Sequence, residues 1–158
     1  MYILSAERSV DAAGAFQKYR EYLLHNKARF PKGAHALATS DWYFDPQRHE
    51  CPHDAWLEEV RIDERSSGER QEIRAVTITA RILGAYHDGL IEVRYPSVFG
   101  YRIDSLSIKN GHGDWQYDEF RVSDSGQLIH EIEWGSSKAK SSWLIVASDI
   151  EFRWTPTK

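Results

Sequence analysis

Cysteine and methionine are almost absent from this 158-residue chain, which has one of each. The single thiol, Cys51, cannot form an intrachain bridge, so a disulfide scaffold is excluded and a reducing cytoplasm is the expected compartment. Long apolar runs are missing too. After Tyr2, Ile3 and Leu4 come Ser5, Ala6, Glu7 and Arg8, too short an apolar stretch for a secretory signal, so no export and no membrane span are expected. Charge of one sign is also lacking. Twenty Lys and Arg stand against 24 Asp and Glu, a formal net charge of −4, and the cations are scattered. With no basic stripe to release counterions from a phosphate backbone, nucleic acid is not an expected partner.

The common chemical signatures are missing as well. There is no G-x-S-x-G, no G-x-x-x-x-G-K-[ST], no G-x-G-x-x-G after a strand, no H-E-x-x-H and no C-x-x-C. The glycine-rich run Asn110-Gly111-His112-Gly113 lies between two strand patterns, where a hairpin turn explains it better than a phosphate cradle. No cofactor is implied, and no internal repeat or low-complexity segment is present.

What is there suits a single domain over 1–158. Apolar residues make up 41% of the chain, and a chain of this length buries roughly 70% of its unfolded surface without metal or disulfide staples. Residues 9–30 read as one long helix, with Ser9 as cap, Asp11 near the positive dipole end, and Phe16, Tyr19, Leu23 and Phe30 forming a buried stripe. Pro31 and Gly33 end it. Residues 33–55 read as a long loop with one helical turn in it, a length that in a compact domain is often functional.

Past Ala55 the period changes from 3.6 to 2. Strand patterns run over Trp56 to Glu64, Arg74 to Ile82, Ile91 to Tyr95, Phe99 to Ile108, Trp115 to Ser123, Leu128 to Trp134 and Trp143 to Trp154. Asp88-Gly89 is read as a tight hairpin turn, and the change of parity between Ile103 and Leu106 implies a bend. Short connections make the neighbours antiparallel. The expected fold is therefore α+β, mostly β: an N-terminal helix followed by a curled antiparallel meander sheet or barrel of about seven strands over 56–154, the helix lying across an opening or flank.

Several side chains are candidate sites. Parity places Glu119 with Trp115 and Tyr117, and His130 with Leu128, Ile132 and Trp134. A carboxylate and an imidazole among aromatics suit general acid/base catalysis, although a buried pair that only satisfies each other is the plainer explanation. His49, Cys51 and His53 form an H-x-C-x-H run, but zinc needs three or four ligands and no second pair matches it. Trp42, Tyr43 and Phe44 fall outside the alternating pattern, suiting either a plug against the sheet or a partner-binding patch. Tyr95, Tyr101, Trp115, Tyr117 and Trp134 would line the interior of a barrel and contact an apolar ligand there.

The run His87-Asp88-Gly89-Leu90-Ile91-Glu92-Val93-Arg94-Tyr95, followed by Val98 and Tyr101, Gly113-Asp114 with Glu119, Ile129-His130-Glu131-Ile132 and Ile150-Glu151-Phe152-Arg153-Trp154, resembles a family of small, uncharacterised bacterial cytoplasmic proteins over residues 72–154. Some proteins of that type are encoded near polymorphic toxins, so the resemblance implies an immunity or other protein-binding role and carries over no catalytic residues. The leading expectation is thus a non-enzymatic module that binds a protein partner. The alternatives are a carrier of a small apolar ligand and an acid/base enzyme using Glu119 and His130. Oligomeric state is left open by the sequence.

Overall fold

In a computed structural model that describes residues 1–105, 109, 111–136 and 139–157, a helical N-terminal region precedes eight antiparallel strands. Helix α1 spans Ala12–Asn26 and α2 spans Lys32–Ala38. The strands are β1 (Trp56–Ser67), β2 (Ile73–Leu83), β3 (Gly89–Tyr95), β4 (Val98–Ile103), β5 (Asp114–Val122), β6 (Leu128–Ser136), β7 (Ala139–Ala147) and β8 (Glu151–Pro156). The class is α+β and mostly β. Leu106, Ile108 and Asn110, used above for a bend and a turn, lie outside the described residues.

The sheet is curled but not closed, in the order β4-β7-β6-β5-β1-β2-β3-β8. It is not a simple meander. The expected last strand is two strands, because the inward positions change parity: Trp143, Ile145 and Ala147 are buried in β7, whereas Ile150 and the half-buried Phe152 and Trp154 are even-numbered. A turn at Ser148-Asp149 absorbs the change. It lets β8 cross to pair with β3, while β4 pairs with β7.

This order forces the curl. β3 and β4 lie near opposite ends of the sheet, yet only Pro96 and Ser97 separate them in the chain. The halves β8-β3-β2-β1 and β5-β6-β7-β4 therefore fold toward each other, hinged where β1 and β5 share the single pair Trp56↔Asp114. Side chains from both halves fill the interior, among them Ile78, Ile82, Ile91, Val93, Tyr95, Trp115, Phe120, Trp134, Trp143 and Ile145.

Because β1 leaves β5 so early, the β5 backbone beyond the hinge needs other partners. Helix α1 supplies them. The Tyr19 hydroxyl accepts from Phe120 N at 2.8 Å and donates to Phe120 O at 2.9 Å, and the Tyr22 hydroxyl accepts from Val122 N at 2.9 Å. Two phenols three residues apart on one helical face thus replace part of a missing strand. The helix is shorter than expected. Its cap is Asp11, which accepts from Gly14 N at 2.8 Å, while Ser9 lies in a preceding 3-10 turn, and the helix ends at Asn26.

Residues 33–55 are not a plain loop, since α2 occupies the start. Its N-terminus is capped from a distance: the Asp149 carboxylate accepts from Gly33 N and Ala34 N, both at 2.9 Å. Gly33 permits this approach, for a Cβ there would lie 2.4 Å from Ile150 O. The β2–β3 turn also differs from expectation. His87, not Gly89, adopts the left-handed conformation (φ 57°). Gly89 instead begins β3, where a Cβ would lie 2.2 Å from the Trp154 ring.

Candidate functional site

The chemistry of the interior follows from one bulge. In β5 the pairing with β6 slips between Trp115 and Tyr117, so Trp115 opposes Trp134, yet Asp118 opposes Ile132 and Phe120 opposes His130. One extra residue reverses the faces of everything after it. Trp115, Asp118 and Phe120 point inward with His130, and Tyr117, Glu119 and Arg121 fall on the outer face with Glu131 and Glu133.

Glu119 and His130 therefore face opposite sides of the sheet, and the acid/base pairing expected of them is overturned. Glu119 is nonetheless completely buried, because the N-terminal segment crosses over it. Its Oε2 accepts from Tyr2 N at 2.9 Å and Leu4 N at 3.1 Å, and Arg121 Nε lies 3.1 Å from Oε1. Arg121 also pairs with Glu131, while Glu133 holds Arg8 at 3.2 Å and Lys140 at 3.0 Å. This outer face is a charge network that fastens the strap formed by the first residues.

The inward partner of His130 is Asp118, which the sequence reading did not single out. His130 Nε2 lies 2.8 Å from Asp118 Oδ2, the same oxygen that accepts from the Tyr43 hydroxyl at 2.9 Å, and Trp115 Nε1 donates to Oδ1 at 3.0 Å. On the other side of the ring, the Tyr95 hydroxyl lies 2.7 Å from His130 Nδ1. With the ring proton on Nε2, every polar atom from Tyr95 through His130 and Asp118 to Tyr43 has a partner. Phe120 stacks on the imidazole with centroids 4.2 Å apart. Burial pushes the Tyr43 and Tyr95 hydroxyls well above the usual tyrosine range, so both remain donors at any ordinary pH.

This chain joins the two halves of the sheet and the 40s segment. Its components are 0–3% exposed, leaving no open approach to His130. Asp118 and Tyr43 border a cleft of about 170 Å³, lined also by Phe16, Phe44, Trp115, Tyr117 and His53. Phe44 meets Phe16 at 78° and Tyr43 at 84°, and His53 meets Tyr117 at 59° with centroids 5.3 Å apart. Arg8 sits 3.8 Å from the centre of the Tyr117 ring.

The other expected sites fare unequally. Tyr43 is buried as a plug, and Trp42 and Phe44 are half-buried against the core, so these three form no free patch. Tyr95, Trp115 and Trp134 do face inward, but the interior is filled: Ile78, Ile82, Val93, Tyr95 and Trp134 are 0–1% exposed, and none of the described clefts reaches them. Tyr117 lies outside, beneath Arg8. Tyr101 shares the face of its partner Ile145, yet is 49% exposed because β4 is the edge of the sheet.

His49, Cys51 and His53 do not converge. His49 Nδ1 lies 2.5 Å from Asp88 Oδ2 and its ring stacks on Tyr86, Cys51 Sγ donates to Tyr43 O at 3.0 Å, and His53 sits beside Asp54 and Tyr117. Among the described residues no three His, Cys, Asp or Glu side chains are grouped to hold a metal ion. Burial pushes the Cys51 thiol up to about 12, the reverse of what a nucleophile or metal ligand needs.

One signal for Asp118 was present in the sequence. Trp115 and Phe120 are both large and apolar but of opposite parity, and a strand can bury both only by inserting one residue between them. Comparison of the chain with protein-family models, with curated proteins and with solved structures gave no match.

Proposed function

We propose that this protein acts by binding another protein and not by catalysis, and that β4 is the strand it offers. The observation that carries the reading is the contrast between the two sheet edges. β8 is defended: Glu151 and Arg153 pair across to Arg94 and Glu92, each at 2.9 Å, and Pro156 removes a donor from its end. β4 ends the other side of the sheet with Phe99 59% and Tyr101 49% exposed around Gly100. Two large apolar side chains on an open edge suit an added strand from a partner, whose backbone would pair with β4 while the rings anchor its side chains. Burial of the whole Tyr95–His130–Asp118–Tyr43 chain supports a structural use of those polar groups. A toxin as the partner, with this chain as its immunity protein, is the particular form of this reading that the sequence resemblance implies.

The test is site-specific photo-crosslinking in the native host, with the crosslinker in place of Phe99 or, for comparison, Arg153. A discrete adduct from position 99 alone is expected. The adduct's partner, identified and purified, should bind the wild-type chain at least about tenfold more tightly than the Phe99→Lys, Tyr101→Lys double variant. Equal labelling from both positions, no adduct from 99, or an adduct only with a second copy of this chain overturns the reading.

A further inference from the structure

We infer that the aromatic cleft above Asp118 is a binding site for a small methylated ammonium group, of the kind carried by choline or by a trimethylated lysine side chain. Three features on different elements meet there. Phe16 from α1, Phe44 from the 40s segment and Tyr117 from β5 are half-buried at its walls, and Tyr43 and Trp115 lie buried at its base. Phe44 packs edge-on against Phe16 at 78° and against Tyr43 at 84°, so these three rings form one continuous aromatic wall of the cleft.

The base carries the second feature, a carboxyl group 3% exposed. Asp118 receives its hydrogen bonds from the Tyr43 hydroxyl, the Trp115 indole and His130, and no Lys or Arg side chain pairs with it among the described residues. A carboxylate held in place by tyrosine, tryptophan and histidine donors disfavours an anionic ligand and favours a cation, as do the negative faces of Phe16 and Phe44, whereas one face of Tyr117 is already covered by Arg8.

Size is the third feature. About 170 Å³ accommodates a trimethylammonium head and little more. A quaternary ammonium fits better than a primary one, because it has no N–H groups to satisfy and both Asp118 oxygens already accept from Tyr43, Trp115 and His130. This inference is independent of the β4 reading, since the cleft lies between α1, the 40s segment and β5.

The Trp115 indole N–H reports directly on the site, and its NMR resonance can be assigned by its loss in Trp115→Phe. Titration uses choline and its neutral carbon isostere 3,3-dimethylbutan-1-ol, each to about 20 mM. Choline is expected to move the Trp115 indole signal and to bind about ten- to thirtyfold more tightly than the isostere. Phe44→Leu, which keeps an apolar side chain at a half-buried position, should lose most of that binding with its melting temperature close to wild type. Equal binding of the isostere, no shift with choline, or undiminished binding in Phe44→Leu overturns the proposal. A peptide bearing one trimethyllysine separates the two sources: tighter binding than choline assigns the site to a protein side chain, and tighter choline binding assigns it to the free cation.

Discussion

Removing one oxygen atom from the chain, by Tyr19→Phe, tests whether helix α1 substitutes for a strand beside β5. The ring is retained, so packing against Tyr2, Tyr22 and Phe44 persists. The hydroxyl is lost, and with it both partners of Phe120, whose N–H and carbonyl lie 2.8 and 2.9 Å from it in a region sealed from water. Each orphaned buried backbone group costs about 1–3 kcal/mol, so the variant should lose about 2–4 kcal/mol, a large share of a typical domain's stability. With a urea slope of about 2 kcal/mol/M for a domain of this size, the unfolding midpoint should fall by about 1–2 M. Tyr22→Phe is the internal control. Its hydroxyl serves one group, Val122 N, on a half-exposed residue that water can reach, so a loss below about 1 kcal/mol is expected. Hydrogen exchange at the Phe120 amide should accelerate in Tyr19→Phe by more than global destabilisation accounts for. If Tyr19→Phe stays within about 0.5 kcal/mol of wild type, or matches Tyr22→Phe, the edge-capping argument fails.

Alkaline pH should unfold the protein steeply. Burial raises the Tyr19, Tyr43 and Tyr95 hydroxyls well above their ordinary value, so the folded state keeps protons that the unfolded chain releases above about pH 10. Stability is complete below that pH and falls as pH rises, by about 1.4 kcal/mol per unit for each of the three; a denaturation series in which Tyr43→Phe does not flatten the slope contradicts this. Cys51 follows the same sign in an earlier window, and its thiol, raised to about 12, should resist a disulfide reagent at pH 8 until the protein is unfolded. Asp149→Ala removes the distant cap of α2 and should cost about 1–2 kcal/mol, with hydrogen exchange accelerated first at Gly33 and Ala34. Glu119→Ala releases the Tyr2 and Leu4 amides, so limited proteolysis should clip the first residues of the variant and spare the wild type at equal protease.

Much of the fold was legible in the chain because alternation is a local property. Arg74 to Ile82 and Ile91 to Tyr95 sort their apolar residues to one face by spacing alone, and Ile78, Ala80, Ile82, Ile91, Val93 and Tyr95 are buried accordingly. Helix α1 was visible through Tyr19 and Leu23. Helix α2 was not, since its seven residues include Gly33 and its cap comes from Asp149, more than a hundred residues away. The candidate acid/base pair was misjudged for a related reason: parity counted across Gln116 took no account of the bulge, and so exchanged Glu119 for Asp118 as the neighbour of His130.

Residue order therefore settled the mostly β class and the apolar face of regular stretches such as Arg74 to Ile82 and Ile91 to Tyr95, since alternation depends on neighbours within a few positions, while a count of one cysteine excludes an intrachain bridge. Tertiary structure decided which strands pair, where β5 loses its neighbour to two tyrosines, and which carboxylate meets the imidazole. Those outcomes depend on how a curled sheet divides its limited interior among side chains far apart in the chain, where hydrogen bonds must be satisfied in space and not along the sequence.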